Sequence, residues 1–265
     1  MSQKLASLAM YDVGGSTSAA LWRGLRGHLI AEGLTGVPHE LTIPEDYEAH
    51  WLDPRLLLGQ TCGYPLEHAL AGRVQYVGTP AYDAPGVDGT FYRSAIVVRA
   101  SDAAQSISAL RGRRAAYNSH TSQSGYNAFR DLVAPEAQAG SFFSSVVETG
   151  SHRASLLAVI AGDADVAAID AVTLAGESAA MRASVRIVNW TEAAPALPFI
   201  TSLATSSVDL DRLRRGIATA FADPQLANVR KALHLSGFAV LAADAYKPIV
   251  AMEQRAIALG YPALG

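Results

Sequence analysis

Between Tyr117 and Asn127 the chain reads Asn118-Ser119-His120-Thr121-Ser122-Gln123-Ser124-Gly125-Tyr126, a run of hydroxyl and amide side chains around one glycine. At a helix start, such a run can hold an oxyanion. The first N–H groups of a helix have no partner inside it, and the aligned peptide dipoles place about half a positive charge there. Ser and Thr hydroxyls add donors, and Gly125 lets a ligand come close to the backbone, so no Arg or Lys is required. An ordinary capped helix, with Ser122 or Thr121 as N-cap, uses the same residue types. A second candidate is Thr149-Gly150-Ser151-His152. His152 at a helix start is disfavoured as an imidazolium, which suits a neutral donor to an anion better than a base; a structural histidine satisfied internally reads the same way. Asp170 ends the apolar run Val166-Ala167-Ala168-Ile169. A carboxylate there needs partners, either neighbouring N–H groups or a ligand. Tyr11, Tyr64, Tyr82 and Tyr92 combine apolar area with a polar tip and can wall a cleft. Thr61 and Cys62 share the loop with Tyr64, and no base can be placed beside Cys62.

Strands and helices must position these groups. Arg114-Ala115-Ala116-Tyr117 reads as the end of a strand, and Tyr126, Phe129, Leu132 and Val133 recur at helical spacing. The same design opens the chain: a strand over 5–11, a loop Asp12-Val13-Gly14-Gly15-Ser16-Thr17-Ser18 and an amphipathic helix over 19–31. Further strands are expected over 40–43, 56–60, 74–78, 92–99, 141–148, 166–170 and 185–190. Helices are expected over 47–52, 66–71, 104–110, 153–161, 172–181, 210–221, 224–235 and 246–259, with an extended connection over 191–199. This alternation points to an α/β fold with a largely parallel sheet. Open α/β sheets bind ligands in polar loops at the carboxyl ends of their strands. Five stretches fit: 11–18, 60–65, 118–125, 149–152 and Asp170.

Composition narrows the function. The chain has 265 residues, half of them hydrophobic and 17% charged, which supplies a sizeable core for one large domain or two smaller ones. A net charge of −3 with no basic stripe argues against nucleic acid. One cysteine excludes an intrachain disulfide and thiolate-rich zinc sites, and the scattered histidines offer no His-x-x-x-His pair. No metal site or cofactor is expected. Nor does any segment approach the roughly 20 apolar residues of a membrane span. Lys4 is followed almost at once by the first core strand, with no signal peptide. Either the protein stays in the cytoplasm, or a leader has been replaced by Met1.

Four runs in order resemble one family. They are Tyr92-Arg93-Ser94-Ala95-Ile96-Val97-Val98, Asn118…Ser122-x-Ser124-Gly125-Tyr126, Thr149-Gly150-Ser151-His152 and Gly162-Asp163-Ala164-Asp165-Val166-Ala167-Ala168-Ile169-Asp170. Their spacing is similar to the phosphate/phosphonate substrate-binding proteins of ABC importers, which have the type II periplasmic-binding-protein fold. The resemblance implies two α/β lobes with a ligand cleft between them: lobe 1 from 1–92 and 190–265, lobe 2 from 93–189. It implies hinge closure at crossovers near Ser94 and Asn189, a periplasmic address, a small phosphonate- or phosphate-like anion as ligand, and a transporter permease as partner. Ser122, Gln123 and Ser124 would be oxyanion donors, with Asn118 and Thr121 in the same loop. His152 matches the family histidine, Tyr92 its hinge-strand aromatic, and Asp170 the acid that faces the ammonium of aminophosphonates. A further family carboxylate after the crossover is missing from Pro195-Ala196-Leu197-Pro198-Phe199-Ile200; Glu192 is the nearest substitute.

The reading is therefore a solute-binding protein that does no chemistry. Two alternatives use the same pocket. One is a cytoplasmic enzyme on this fold, similar to chorismate dehydratase, with Asp170 or His152 as acid or base. The other is a ligand-sensing subunit.

Overall fold

Two five-stranded sheets organise the computed structural model, which describes residues 3–11 and 15–265. Their strands in chain order are β1 (Leu5–Ser7), β2 (Leu56–Gln60), β3 (Val74–Tyr82), β4 (Ser94–Arg99), β5 (Arg114–Tyr117), β6 (Ser145–Glu148), β7 (Val166–Asp170), β8 (Val185–Trp190), β9 (Phe199–Ser202) and β10 (Leu235–Ala239). β2 and β7 are buried along their whole length, as continuous apolar runs must be when both faces of a sheet are covered. The Asp12, Val13 and Gly14 part of the first Gly-Ser-Thr loop lies outside the described residues.

The chain divides into two compact units: Met1–Asp83, Asp88–Thr90 and Pro195–Ala245 form the first, and Ala84–Val87, Phe91–Ala194 and Tyr246–Gly265 the second. The sequence reading placed all of 190–265 in the first lobe. Residues 246–265 instead belong to the second unit, and the bonds that hold them there are specific. Asn127 Nδ2 donates to the Ile249 carbonyl at 2.9 Å, and Arg130 Nη1 to the Pro262 carbonyl at 2.7 Å. The Gly265 carbonyl accepts from the N–H groups of Phe142 and Phe143. Tyr261 is fully buried in one core with Phe129 and Phe142.

In the first unit the sheet order is β1-β2-β9-β3-β10. β1 and β2 are parallel, whereas β9 lies antiparallel between β2 and β3, and β10 is antiparallel to β3. The helices Ser16–Ala31 and Ser207–Ala222 bury Leu21, Leu25, Leu29, Leu213 and Ile217, each such side chain contributing about 1.5–3 kcal/mol. Gly216 permits their close approach, since a Cβ there would sit 2.8 Å from Leu29 Cδ2. In the second unit the order is β8-β4-β7-β5-β6. β7, β5 and β6 are parallel neighbours, and β4 is antiparallel to both β7 and β8.

A largely parallel sheet was expected, and both sheets are mixed. β4 and β9 enter their sheets from the opposite direction to their neighbours, a reversal that period-2 patterning does not encode. The strand expected over 40–43 does not form; there Thr42 N–H reaches Ala6 O at 2.7 Å, and the segment carries no strand. The helix expected over 172–181 breaks at Glu177, because Ser178 caps a new helix by accepting from Met181 N–H. The helix expected over 104–110 is a single 3₁₀ turn, Ser108–Leu110. The helix turn expected over 66–71 comes earlier, at Gly63–Glu67. The stretch expected to be helical to Leu235 ends at Ala232 and turns into β10. No helix among the described residues is long and apolar enough to cross a membrane.

Candidate functional site

Three loops of the second unit leave the same end of the sheet because β5, β7 and β6 are parallel neighbours. Asn118 follows β5, Thr149 follows β6, and Asp170 ends β7. Carboxyl ends of adjacent parallel strands are where an α/β sheet gathers polar loops. The first two loops are stitched together: Thr149 N–H donates to Tyr117 O at 2.8 Å and Gly150 N–H to Asn118 O at 2.9 Å.

After β5 the chain makes a turn in which Ser122 N–H meets Ser119 O, then enters one π-helical turn over Gln123–Asn127 that runs on into Ala128–Val133. The wide turn is visible in the bond from Asn127 N–H to Ser122 O, five residues back, at 3.0 Å. Such turns tend to occur at functional sites. Ser122 is the N-cap, as one of the two sequence readings had it, and its Oγ accepts from Gly125 N–H at 3.1 Å. The cap does not exhaust the residue. Ser122 Oγ also lies 3.4 Å from Ser124 Oγ, and Ser124 Oγ lies 2.8 Å from His152 Nε2. A hydroxyl–hydroxyl–imidazole chain thus links the starts of two helices, because His152 is the first residue of His152–Ala161, capped by Ser151. Ser94, at the start of β4 and in register with Asp170, donates from Oγ to the Ser124 carbonyl at 2.9 Å. Its own N–H is held by Thr191 Oγ1.

His152 is neutral at pH 7. Burial of its ring, offset in part by the backbone of Ala168, pushes its pKa down to about 4. The residue keeps some surface, but Nδ1 is shut from water and meets no atom at full hydrogen-bond geometry. The Asn118 amide faces the same spot. Its Oδ1 is buried without a hydrogen-bond partner, and Gly125 packs directly against it. A Cβ on Gly125 would stand 1.9 Å from Asn118 Oδ1 and 3.0 Å from His152 Cε1. Gly125→Ala is therefore expected to turn the Asn118 amide away, press on the imidazole and lower stability by about 1–3 kcal/mol, the usual cost of overpacking. A urea titration unchanged from wild type would show that the loop yields freely.

The other sequence-derived candidates are placed as follows. Gln123 is nearly fully buried, and its side chain turns into the packing, with Nε2 3.1 Å from Met252 Sδ and Oε1 accepting from Asn127 Nδ2 at 2.8 Å. With its amide engaged in this way, an oxyanion donor at Gln123 would act through its backbone N–H. Thr121 stands exposed at the loop tip beside Ser119 Oγ. Asp170 is buried and caps the next helix, its Oδ1 accepting from Val172 N–H at 2.8 Å and Thr173 N–H at 3.0 Å. Tyr92 is buried. Tyr11, Thr61 and Tyr64 belong to the first unit. There Tyr11 meets Tyr82 edge-on with ring centroids 5.3 Å apart, Thr61 is wholly buried, and Tyr64 stacks on His68. Ser94 and Thr191 brace the hydroxyl chain; the sequence offers Ser94 as a hinge position and does not single out Thr191, and neither reads there as a support of this loop. Their only signal is register, which follows from strand pairing and not from residue type. Among the described residues no cluster of three or more His, Cys, Asp or Glu could hold a metal ion.

Known proteins bear on this geometry. The family model for the periplasmic substrate-binding protein of phosphonate ABC transporters matches residues 60–246. No curated protein sequence matches the chain. Among solved structures, a binding-protein component of an ABC phosphonate transporter from Pseudomonas aeruginosa superposes with a TM-score of 0.77 at 16% identity, covering 100% of this chain and 91% of that one. PhnD1 from Prochlorococcus marinus in complex with methylphosphonate gives 0.76 at 12% identity, covering 96% and 97%. A Xanthomonas citri protein bound to ATP gives 0.72 at 16% identity, covering 98% of each chain. At these identities the structural likeness establishes the two-lobed type II periplasmic-binding-protein fold.

Proposed function

The chain belongs to the family of periplasmic substrate-binding proteins of phosphonate ABC transporters, and on that premise we propose that the hydroxyl–imidazole cluster of its second unit is the seat of the transported oxyanion. Members of this family carry a small anionic solute to a transporter and do no chemistry on it. The enzyme alternative has no observation in its favour.

The observation that carries the site assignment is the contact of Ser124 Oγ with His152 Nε2 at 2.8 Å, with Ser122 beside it. Each hydroxyl can rotate its proton toward an incoming oxygen, and the neutral imidazole can donate or accept. The backbone N–H groups of the π-helical turn add fixed donors and the favourable end of the helix dipole. Donors fixed before the ligand arrives matter, because a desolvated oxygen left unpaired costs on the order of several kcal/mol. Ser122, Ser124 and His152 are assigned to the tetrahedral head of a phosphonate or phosphate-like ligand, with Thr121 and Asn118 at the rim. Asp170 and Ser94 position the loop ends.

Methylphosphonate, titrated calorimetrically, is the test. It is expected to bind, and Ser122→Ala to weaken binding by about 1–3 kcal/mol through loss of a hydrogen bond to a charged group. An unchanged dissociation constant removes Ser122 from the site. Stability has to be followed in parallel, since loss of the cap alone costs about 1 kcal/mol.

A further inference from the structure

We propose that the first unit carries an anion site of its own, between the helix Ser16–Ala31 and the segment 39–43, suited to a small organic acid with an apolar body. A cavity of about 620 Å³ lies there, within the range of small-ligand sites. The helix lines it with Ala19, Trp22, Arg23 and Arg26, at the i, i+3, i+4, i+7 spacing that puts residues on one helical stripe. The facing wall contributes His39, Glu40 and Ile43.

The two arginines on this stripe differ from the others in the protein. Arg55, Arg114 and Arg255 each pair with a carboxylate, and Arg93, Arg182, Arg186 and Arg230 donate to backbone carbonyls. Arg26 does neither among the described residues. Its Nε is shut from water and has no hydrogen-bond partner among the described residues, and its Nη2 lies 3.4 Å from His39 Nε2. A buried guanidinium N–H is costly to leave unpaired, so a site that keeps one is short of an acceptor. Arg23, one turn earlier, is exposed and forms no ion pair among the described residues; Glu40 on the opposite wall pairs with neither arginine. Two guanidiniums against one carboxylate leave the cavity net positive. The planar fork of arginine matches the two oxygens of a carboxylate or phosphate head. Ile43, 59% exposed, supplies apolar surface for the remainder of the ligand, with Ala19 beside it and the buried Trp22 forming the floor.

Benzoate and phenyl phosphate, two oxyanion heads on an apolar ring, are the probes, titrated calorimetrically at physiological salt into wild type, Ser124→Ala, Arg26→Ala and Arg23→Glu. At least one probe is expected to bind wild type and Ser124→Ala with the same affinity. Arg26→Ala and Arg23→Glu are expected to weaken it about tenfold or more while leaving the methylphosphonate affinity unchanged. Arg23 is exposed, so its reversal reports on charge even if Arg26→Ala fails to fold. The proposal falls if neither probe binds, if both arginine variants keep the wild-type affinity, or if Ser124→Ala abolishes the binding. That last result would place the probe at the hydroxyl–imidazole cluster. None of these outcomes depends on whether methylphosphonate is a ligand of that cluster.

Discussion

Arg130→Met lowers the stability of the second unit by about 3 kcal/mol in a urea titration, near the lower end of the range for breaking a buried ion pair. Arg130 has a side chain only 4% exposed and serves three acceptors at once. Nη1 donates to the Pro262 carbonyl at 2.7 Å, and Nη2 to Asn127 Oδ1 at 2.8 Å and Glu253 Oε1 at 3.3 Å. The guanidinium also lies over the Tyr126 ring. Methionine keeps much of the volume and supplies none of the donors. The lower end applies because the Glu253 side chain retains 18% exposure, so its charge is partly solvated when the guanidinium goes. Arg130→Lys recovers only part of the loss, since a point charge cannot reproduce a planar fork with three acceptors. The consequence for function is positional. Arg130 holds Asn127, which in turn holds Gln123 and the Ile249 carbonyl, and Ser122 to Ser124 sit at the mouth of that same turn. Hydrogen exchange of 246–265 should rise together with the loss of stability. A variant that melts like wild type would show that the C-terminal arm is held by Tyr261 and its apolar neighbours alone.

Residue type made the polar loop after β5 legible. Ser122, Ser124 and Gly125 before a helical pattern gave an N-cap and an oxyanion seat as alternatives, and the structure shows one serine capping while its neighbour reaches His152. The strands β2 and β7 were likewise readable, because a short, mostly apolar run between turn signals has few other uses. Two kinds of feature were not. Strand direction failed for β4, whose pattern is identical whichever way it runs, and β9 was not among the expected strands at all. Long-range partners failed too. The sequence gives no sign that Met252 and Asn127 surround the Gln123 amide, and the 246–265 arm looks like a tail of the first unit until Arg130 is found holding Pro262. Ser94 reads from the sequence as a hinge position only; its bond to the loop comes from standing opposite Asp170 across a strand pair.

His152 ties this local chemistry to a pH profile. Its folded pKa of about 4 lies below the 6.5 of an exposed imidazole, because the buried ring is costly to charge. Between those values the unfolded chain binds a proton that the folded chain does not, so stability is complete above pH 6.5 and falls as pH drops toward 4. The difference corresponds to on the order of 3 kcal/mol across that window. His50 is shifted in the same direction by its own burial, so the total slope is no test. The difference between wild type and His152→Gln isolates this residue, and the wild-type slope is expected to exceed that of the variant throughout the window. The same substitution removes the imidazole from Ser124 Oγ and is expected to weaken methylphosphonate binding at pH 7 by about 1.5–3 kcal/mol, as for a hydrogen bond to a charged group. Matching slopes with weakened binding would mean that the ring contacts the ligand but is free to protonate in the folded protein. A lost slope difference together with unchanged binding would remove His152 from the oxyanion seat. Both differences together would show one buried ring that resists protonation and still offers its Nε2 to the hydroxyl chain.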